Sequence, residues 1–563
     1  MKRYSTLTLI TLSATTLLVG AVISWLIATQ TSRNSKTDLE QVLALIAEHY
    51  VDSVDVDELQ QSILPLIVSN LDPHSAYIPR KESDWENQRL NGSFCGIGIT
   101  FNTIIDTPVI IDILPGGPSE HAGLKPGDRI LKANRKPLTG KGISADSVRQ
   151  ILLGERASVV KLELLRDNKS FSTQIVRGDV PVPSVDVAFM PYKETGLIRI
   201  VQWGRTTPYE FRAAYARLKE KGMRSLIIDL RDNSGGYLEP AIQLANEFLK
   251  KGQLIVYTQG KAYPREDYHA TGNGLMQDIP LVVLVNEFSA SSSEVFAGAM
   301  QDHDRATIIG RRTFGKGLIQ RPFYLRDSAQ LRLTIARYYS PSGRCIQKQY
   351  TMGDMQSYQR DLINRYESGE MFATDSLLLK GAQQFKTDAG HIVYGGFGIM
   401  PTIFIPVDST GVNSYYLRLI ESGTMDEYAF LYVDQNRKNL SAYDDITKLG
   451  AFLSYQGGLI YDYARFAASK GIQMRSRMLY EARNLLRRAL YGKIANYALG
   501  IEAAYQFFNE TDQALLEGVR SFHKEETPSL KALSYYTSDK SNTSQETNEE
   551  SEDPSQEEYE EEL

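Results

Sequence analysis

Three polar residues could together carry out acyl transfer: Ser291, Lys316 and Gln320. Ser291 stands where the apolar run 281–285 gives way to a helix-like segment that begins S-S-S-E. A helix start presents free N–H groups and the positive end of the backbone dipole. A serine there can attack a carbonyl while a neighbouring N–H holds the oxyanion. S-S-S-E is also a capping box, with Ser291 as N-cap and Glu294 at the third position. The cluster by itself therefore suits a cap as well as a nucleophile. Lys316, in T-F-G-K-G, lies on a tight turn poor in side chains. A lysine turned into a cleft from such a place loses solvation. That lowers the pKa of its amine toward what a general base near neutrality requires. If the segment after it is a strand, positions 316, 318 and 320 share one face and Gln320 can orient the amine. His303 is the only histidine between Phe288 and Lys316. A nucleotide P-loop is not expected: Gly310 and Gly315 precede Lys316 at P-loop spacing, but Gly317 stands where the motif needs Ser or Thr. R-D-N-S-G-G (231–236) follows an apolar run directly. Gly235 and Gly236 let the backbone approach a ligand closely, at the strand end where parallel sheets bind theirs, and could supply a second oxyanion donor. As a short pattern it suits a plain turn equally well.

A chain of 563 residues implies about three or four domains, and 42% hydrophobic with 23% charged residues is globular composition. The net charge of -6 is concentrated at one end. Residues 539–563 hold eleven acidic groups and one lysine, which leaves 61 basic and 57 acidic residues in the body. Nothing in this balance calls for nucleic acid. Two cysteines, Cys95 and Cys345, read as separate thiols and make neither a disulfide framework nor a metal site.

Lys2 and Arg3 precede an uncharged, largely apolar run from Tyr4 to Ser32, long enough to span a bilayer. Residues 1–36 are therefore expected to be an uncleaved signal anchor, with a cleaved signal peptide as the alternative, and the rest of the chain is expected outside the cytoplasm. In 37–88, Leu39, Val42, Leu43, Ile46 and Ala47 form one apolar helix face. His74, in L-D-P-H-S, is expected to hydrogen-bond within a turn. Short strands and Gly/Pro turns in 89–182 read as a β-rich domain. Apolar strands alternate with helices in 183–408, which implies a mainly parallel sheet buried on both faces. Residues 409–530 carry helical spacing rich in Tyr, Leu, Ala and Arg and suit a packing or partner surface. The polar, acidic stretch 531–563 reads as a disordered tail.

Seven motifs occur in a telling order: L-D-P-H-S, G-S-F-C-G-I-G-I, G-G-P-S-E-H-A-G-L-K-P-G-D-R-I-L, D-L-R-D-N-S-G-G, F-S-A-S-S-S-E, F-G-K-G-x-x-Q and Y-S-P-S-G-R. Over about residues 37–405 the chain resembles the C-terminal processing peptidases, serine–lysine proteases with an inserted PDZ domain. The resemblance implies a multidomain α/β chain. Its parts would be a crotonase-like protease core, a PDZ insert, N-terminal helices and a mainly helical C-terminal extension. It implies Ser291 as nucleophile, Lys316 as general base and Gln320 as its orienting partner. The N–H groups of Ser292 and of Gly235 or Gly236 would form the oxyanion hole. The PDZ loop Gly96, Ile97, Gly98 and Ile99 would receive a peptide's terminal carboxylate. No metal or organic cofactor is implied. Two positions depart from the family: Ser292 replaces the usual alanine, and Ala157 the usual glycine.

The expectation is a membrane-anchored endopeptidase of the bacterial cell envelope, facing the periplasmic side and acting on proteins with free C-termini. Its C-terminal helices are a possible partner site. The alternative is a non-catalytic PDZ scaffold anchored outside the cytoplasm. A crotonase-like hydrolase of small thioesters gives no reason for a carboxylate-binding insert.

Overall fold

The computed structural model describes residues 18–22, 37–80 and 92–523, apart from 105, 115, 141–142, 326–328, 374–378 and 380. The anchor reading of residues 1–36, except 18–22, and the tail reading of 531–563 lie outside these. Among the described residues no helix is long and apolar enough to cross a membrane. The chain divides into two compact units, 1–77 with 351–355, and the remainder.

The first unit contains helices Asp38–His49 and Val56–Ser69. Thr37 and Glu40 form a reciprocal capping box on the first, and Asp55 caps the second. The apolar face expected on Asp38–His49 is present in sequence, but only Leu43 on it is buried; Leu39 and Val42 are exposed. In the L-D-P-H-S turn the Asp72 carboxylate accepts the N–H groups of His74 (3.0 Å) and Ser75 (3.1 Å).

In the second unit, residues 93–181 form the β-rich domain. Strands Ile99–Asn102, Val109–Ile113, Arg129–Ala133, Val159–Arg166 and Lys169–Val176 pair in that order, so Ile99–Asn102 lies at the edge. Helix Ala145–Leu152 buries Val148 and Leu152 against Ile130, Val160, Leu162 and Leu164. Its amphipathic spacing and the alternating burial of Val159–Arg166 supply the two apolar faces.

The core is a six-stranded sheet in the order Val185–Tyr192, Thr195–Ile200, Ser225–Asp229, Leu281–Val285, Thr307–Gly310, Ile403–Phe404. The first pair is antiparallel and the rest are parallel. Every residue of Ser225–Asp229 and Leu281–Val285 is buried, as strands covered on both faces require. Alternate residues divide between two cores. Leu226, Ile228, Val283 and Val285 face helices Thr207–Glu220, Leu238–Phe248 and Ser292–Asp302. Leu197, Ile227, Val282 and Leu284 face Leu515, Leu516 and Val519 of helix Gln513–Phe522. The helical segment read as a packing or partner surface thus packs on the chain's own sheet, while its helices from Ser414–Glu421 to Ile501–Phe508 enclose a core of their own. A second, antiparallel sheet pairs Leu318–Tyr324 with Gln330–Tyr339, then Leu254–Gln259 and Glu266–His269.

Ala157, where the resemblance implies glycine, has φ 64°. A Cβ in this left-handed region is strained. Ala157→Gly should therefore stabilise the β-rich domain by up to about 1 kcal/mol, the strain relieved exceeding the entropy lost. A shift of its thermal midpoint checks this; an unchanged or lowered midpoint contradicts it.

Candidate active site

Two loops at the ends of neighbouring parallel strands build the site. The loop after Leu281–Val285 leads to Ser291, and the loop after Ser225–Asp229 is R-D-N-S-G-G. They are stitched together. Asn286 and Asp232 exchange hydrogen bonds: the Asp232 N–H donates to Asn286 Oδ1 (3.0 Å) and Asn286 Nδ2 to Asp232 Oδ1 (2.8 Å). The Asn233 carbonyl accepts the Ala290 N–H (3.0 Å) and the Ser293 hydroxyl (3.0 Å). Trp203, fully buried, donates its indole N–H to Ser293 Oγ at 2.9 Å.

Ser291 is the N-cap of helix Ser292–Asp302, with φ 59° and ψ −118°. A serine held in this sparsely populated region stores strain that the surroundings must overcome. What holds it is Glu294, the capping-box carboxylate. Glu294 Oε2 accepts the N–H of Ser291 (2.8 Å) and the N–H of Lys316 (2.8 Å). Glu294 Oε1 accepts the Gly315 N–H (2.7 Å) and the Thr313 hydroxyl. One carboxylate thus ties the serine to the lysine turn. The capping motif was legible; its second grip, on residues 313–316, was not.

The T-F-G-K-G turn is also pinned from behind. The Lys348 N–H donates to the Gly315 carbonyl (2.9 Å), and the Gly317 N–H to Gln347 Oε1 (2.8 Å). A Cβ on Gly317 would stand 2.8 Å from the Gln347 nitrogen, so this close approach needs glycine. Lys316 Nζ donates to Gln320 Oε1 at 3.0 Å. The lysine itself precedes strand Leu318–Tyr324, and a register shift falls between Ile319 and Gln320. Turn and irregularity, not a regular strand face, bring the two side chains together. Ser291, Ser292, Gly235, Gly236, Lys316 and Gln320 line one cleft of about 320 Å³. The buried Tyr338, whose hydroxyl donates to the Lys316 carbonyl, also lines it. Among the described residues lining it none is histidine. His303 caps the far end of the helix, bonded to Asp388 and the Leu254 carbonyl.

The two glycines of R-D-N-S-G-G differ. The Gly235 N–H donates to Asn233 Oδ1 at 2.9 Å. Among the described residues no hydrogen bond occupies the N–H of Gly236 or of Ser292. Gly236 has φ 150°, and a Cβ there would meet the Trp203 carbonyl oxygen at 2.3 Å. Asn233 carries the discrimination, and only its type and its place two residues before Gly235 could have signalled that. Ser292 Oγ is turned to the Gly236 carbonyl (3.3 Å), away from competition with Ser291.

In the β-rich domain, Gly96 ends strand Ser93–Gly96 and Ile99 begins the edge strand. The carbonyls of Ile97 and Gly98 between them accept the N–H groups of Ser119 (2.8 Å) and Leu114 (3.1 Å). Among the described residues no hydrogen bond takes the N–H of Ile97 or Gly98.

Residues 194–357 match the model of peptidase family S41. Residues 109–166 match a PDZ domain, and 415–500 match a family of unknown function, DUF8443. The probable CtpA-like serine protease of Staphylococcus aureus (strain N315) is 31% identical over 320 residues, covering 56% of this chain and 64% of that protein. Its counterpart in Staphylococcus epidermidis is 30% identical over 311 residues, with 55% and 62% covered. The chain thus spans less than two thirds of the length of these curated relatives. A solved photosystem II D1 C-terminal processing protease is 24% identical, with 65% of this chain and 92% of that one covered and a TM-score of 0.33. The matched segment 194–357 contains Ser291, Lys316, Gln320 and both loops of the site.

Burial pushes the Glu294 carboxyl up from its ordinary 4.5 to about 7, against the pull of its four hydrogen-bond donors. The folded chain therefore holds this proton more tightly than the unfolded chain. The resulting stabilisation is complete below about pH 4.5 and is lost as the pH rises through about 7. Glu294→Gln should remove this component of the fall in thermal midpoint between about pH 5 and about pH 8. An identical pH slope in wild type and variant would contradict the assignment.

Proposed function

We propose that the chain is a serine endopeptidase that cleaves proteins near their C-termini in the cell envelope, with Ser291 and Lys316 as a catalytic dyad. The observation that carries this reading is the shared carboxylate. Glu294 holds the backbone of Ser291 and of Lys316 at 2.8 Å each, within a peptidase domain. Ser291 Oγ attacks the scissile carbonyl and the neutral Lys316 amine takes its proton. Gln320, on Lys316 Nζ at 3.0 Å, restricts where the amine points. The N–H groups of Ser292 and Gly236 receive the oxyanion, and Gly235 serves by letting its loop approach Ser291 closely. Lysine, now protonated, gives its proton to the leaving amine. It then activates the water that releases the acyl group from Ser291.

The PDZ domain supplies a second contact with substrate. An extended tail adds to the open edge of Ile99–Asn102, and its terminal carboxylate takes the N–H groups of the Gly96–Ile99 loop. The apolar run 4–32 behind Lys2 and Arg3 supports attachment to the membrane, with the peptidase domain outside the cytoplasm.

Lys316→Ala should lower kcat by about 10³-fold or more on a peptide with a free C-terminus, with the fold unchanged by circular dichroism. A serine-reactive phosphonate should label the wild type and not Ser291→Ala. Cleavage by Lys316→Ala at the wild-type rate would remove lysine from the mechanism. A wild type that takes no label would favour the anchored PDZ scaffold. Amidation of the peptide's C-terminus should raise KM about tenfold or more, since a charge-assisted bond to the loop is lost.

A further inference from the structure

The first residue of the R-D-N-S-G-G loop is held from outside the peptidase domain. Arg231 donates to Asp229 through Nε (3.0 Å) and a terminal nitrogen (2.8 Å), which is a contact within its own strand end. Its other bonds run to the C-terminal helices. One terminal nitrogen donates to Asp512 Oδ2 at 2.8 Å; the other donates to the Tyr505 hydroxyl and to Asn509 Oδ1, both at 3.2 Å. The Tyr505 hydroxyl in turn donates to Asp229. The Arg231 side chain is only 15% exposed and that of Asp229 2%. A guanidinium in this setting is fixed in orientation as well as neutralised.

Between Arg231 and the oxyanion donor the loop is bonded at three residues. The Asp232 N–H is bound to Asn286, the Asn233 carbonyl to Ala290 and Ser293, and the Gly235 N–H to Asn233. Gly236 then pairs beside Trp203. Directional bonds thus hold Asp232, Asn233 and Gly235 along the path from Arg231 to Gly236, and through them the orientation of the guanidinium acts on the loop. The segment that supplies Tyr505, Asn509 and Asp512 is well anchored. Glu502 accepts the Ala188 N–H at 3.0 Å, Tyr505 packs edge-on against Phe189, and Asp512 caps helix Gln513–Phe522 through the Leu515 N–H (2.7 Å).

We propose that the C-terminal segment 502–512 is a strut that sets the oxyanion loop through Arg231, which makes Tyr505 and Asp512 positioning residues for the reaction at Ser291. This rests on the peptidase reading above and assigns a task to helices outside the peptidase domain. A displaced Gly236 N–H weakens transition-state binding more than substrate binding, so the effect falls on kcat.

The test compares full-length wild type with the double variant Asp512→Asn, Tyr505→Phe. Asparagine still caps the helix and phenylalanine still packs on Phe189, so the fold is spared while the bonds to Arg231 are removed or weakened. Two readouts are taken: kcat and KM on a peptide with a free C-terminus, and hydrogen exchange of the amides in 231–237. The expected result is a kcat lower by about tenfold or more with KM within about twofold, and faster exchange in 231–237 with helix Ser292–Asp302 unchanged. Arg477→Ala, whose side chain is 92% exposed in the same helical region, should change neither. Unchanged kcat together with unchanged loop exchange overturns the strut. So does faster exchange spread evenly over the chain, which reports general destabilisation. If the wild type cleaves nothing and takes no phosphonate label, the peptidase reading fails. The exchange of 231–237 then still decides whether the C-terminal segment holds the loop.

Discussion

The carboxylate of Glu294 is the constraint on which the site depends. A buried carboxylate is tolerated only when its oxygens are hydrogen-bonded, and here four donors converge on it. Those donors come from two stretches of chain, the serine cap and the lysine turn. Neither stretch has regular secondary structure to fix it. A cap residue with positive φ and a turn bracketed by glycines would each sample several conformations alone. Sharing one acceptor makes each the condition for the other. The energetic cost of burying Glu294 is thus also what makes the geometry of Ser291 and Lys316 a single property.

The rest of the core serves to present that pair. The parallel strands Ser225–Asp229 and Leu281–Val285 end side by side, so their loops emerge next to each other. Asn286 with Asp232, and Asn233 with Ala290 and Ser293, convert that adjacency into fixed spacing. The sheet itself is rigid because both faces are covered, one by helices of the core and the other by helix Gln513–Phe522.

Much of this was legible in sequence, for identifiable reasons. Ser291, Lys316 and Gln320 belong to short local patterns, and local patterns survive folding. The parallel sheet announced itself through uninterrupted apolar strands. What could not be read was decided by contacts distant in sequence. Gly235 and Gly236 look alike until the Asn233 side chain selects between their N–H groups. The segment after Lys316 is the strand Leu318–Tyr324 that holds Gln320, but Lys316 itself sits in the turn before it and a register shift intervenes. Arg231 meets Tyr505 and Asp512 across more than 270 positions, and no periodicity encodes that meeting. The helix Asp38–His49 has the apolar spacing expected of it, yet spacing alone could not say that Leu39 and Val42 stay exposed.

The covering of the sheet by Gln513–Phe522 has a consequence for the order of events during synthesis. Leu284 and Ile227 are made well before Leu515 and Val519, which bury them. Such late, long-range pairing slows folding and leaves an apolar sheet face waiting. The ribosome must therefore deliver nearly all of the described chain before that face of the sheet is covered. A shortened product ending before residue 513 would expose a sticky β surface, and its fate would be set by chaperones and quality control.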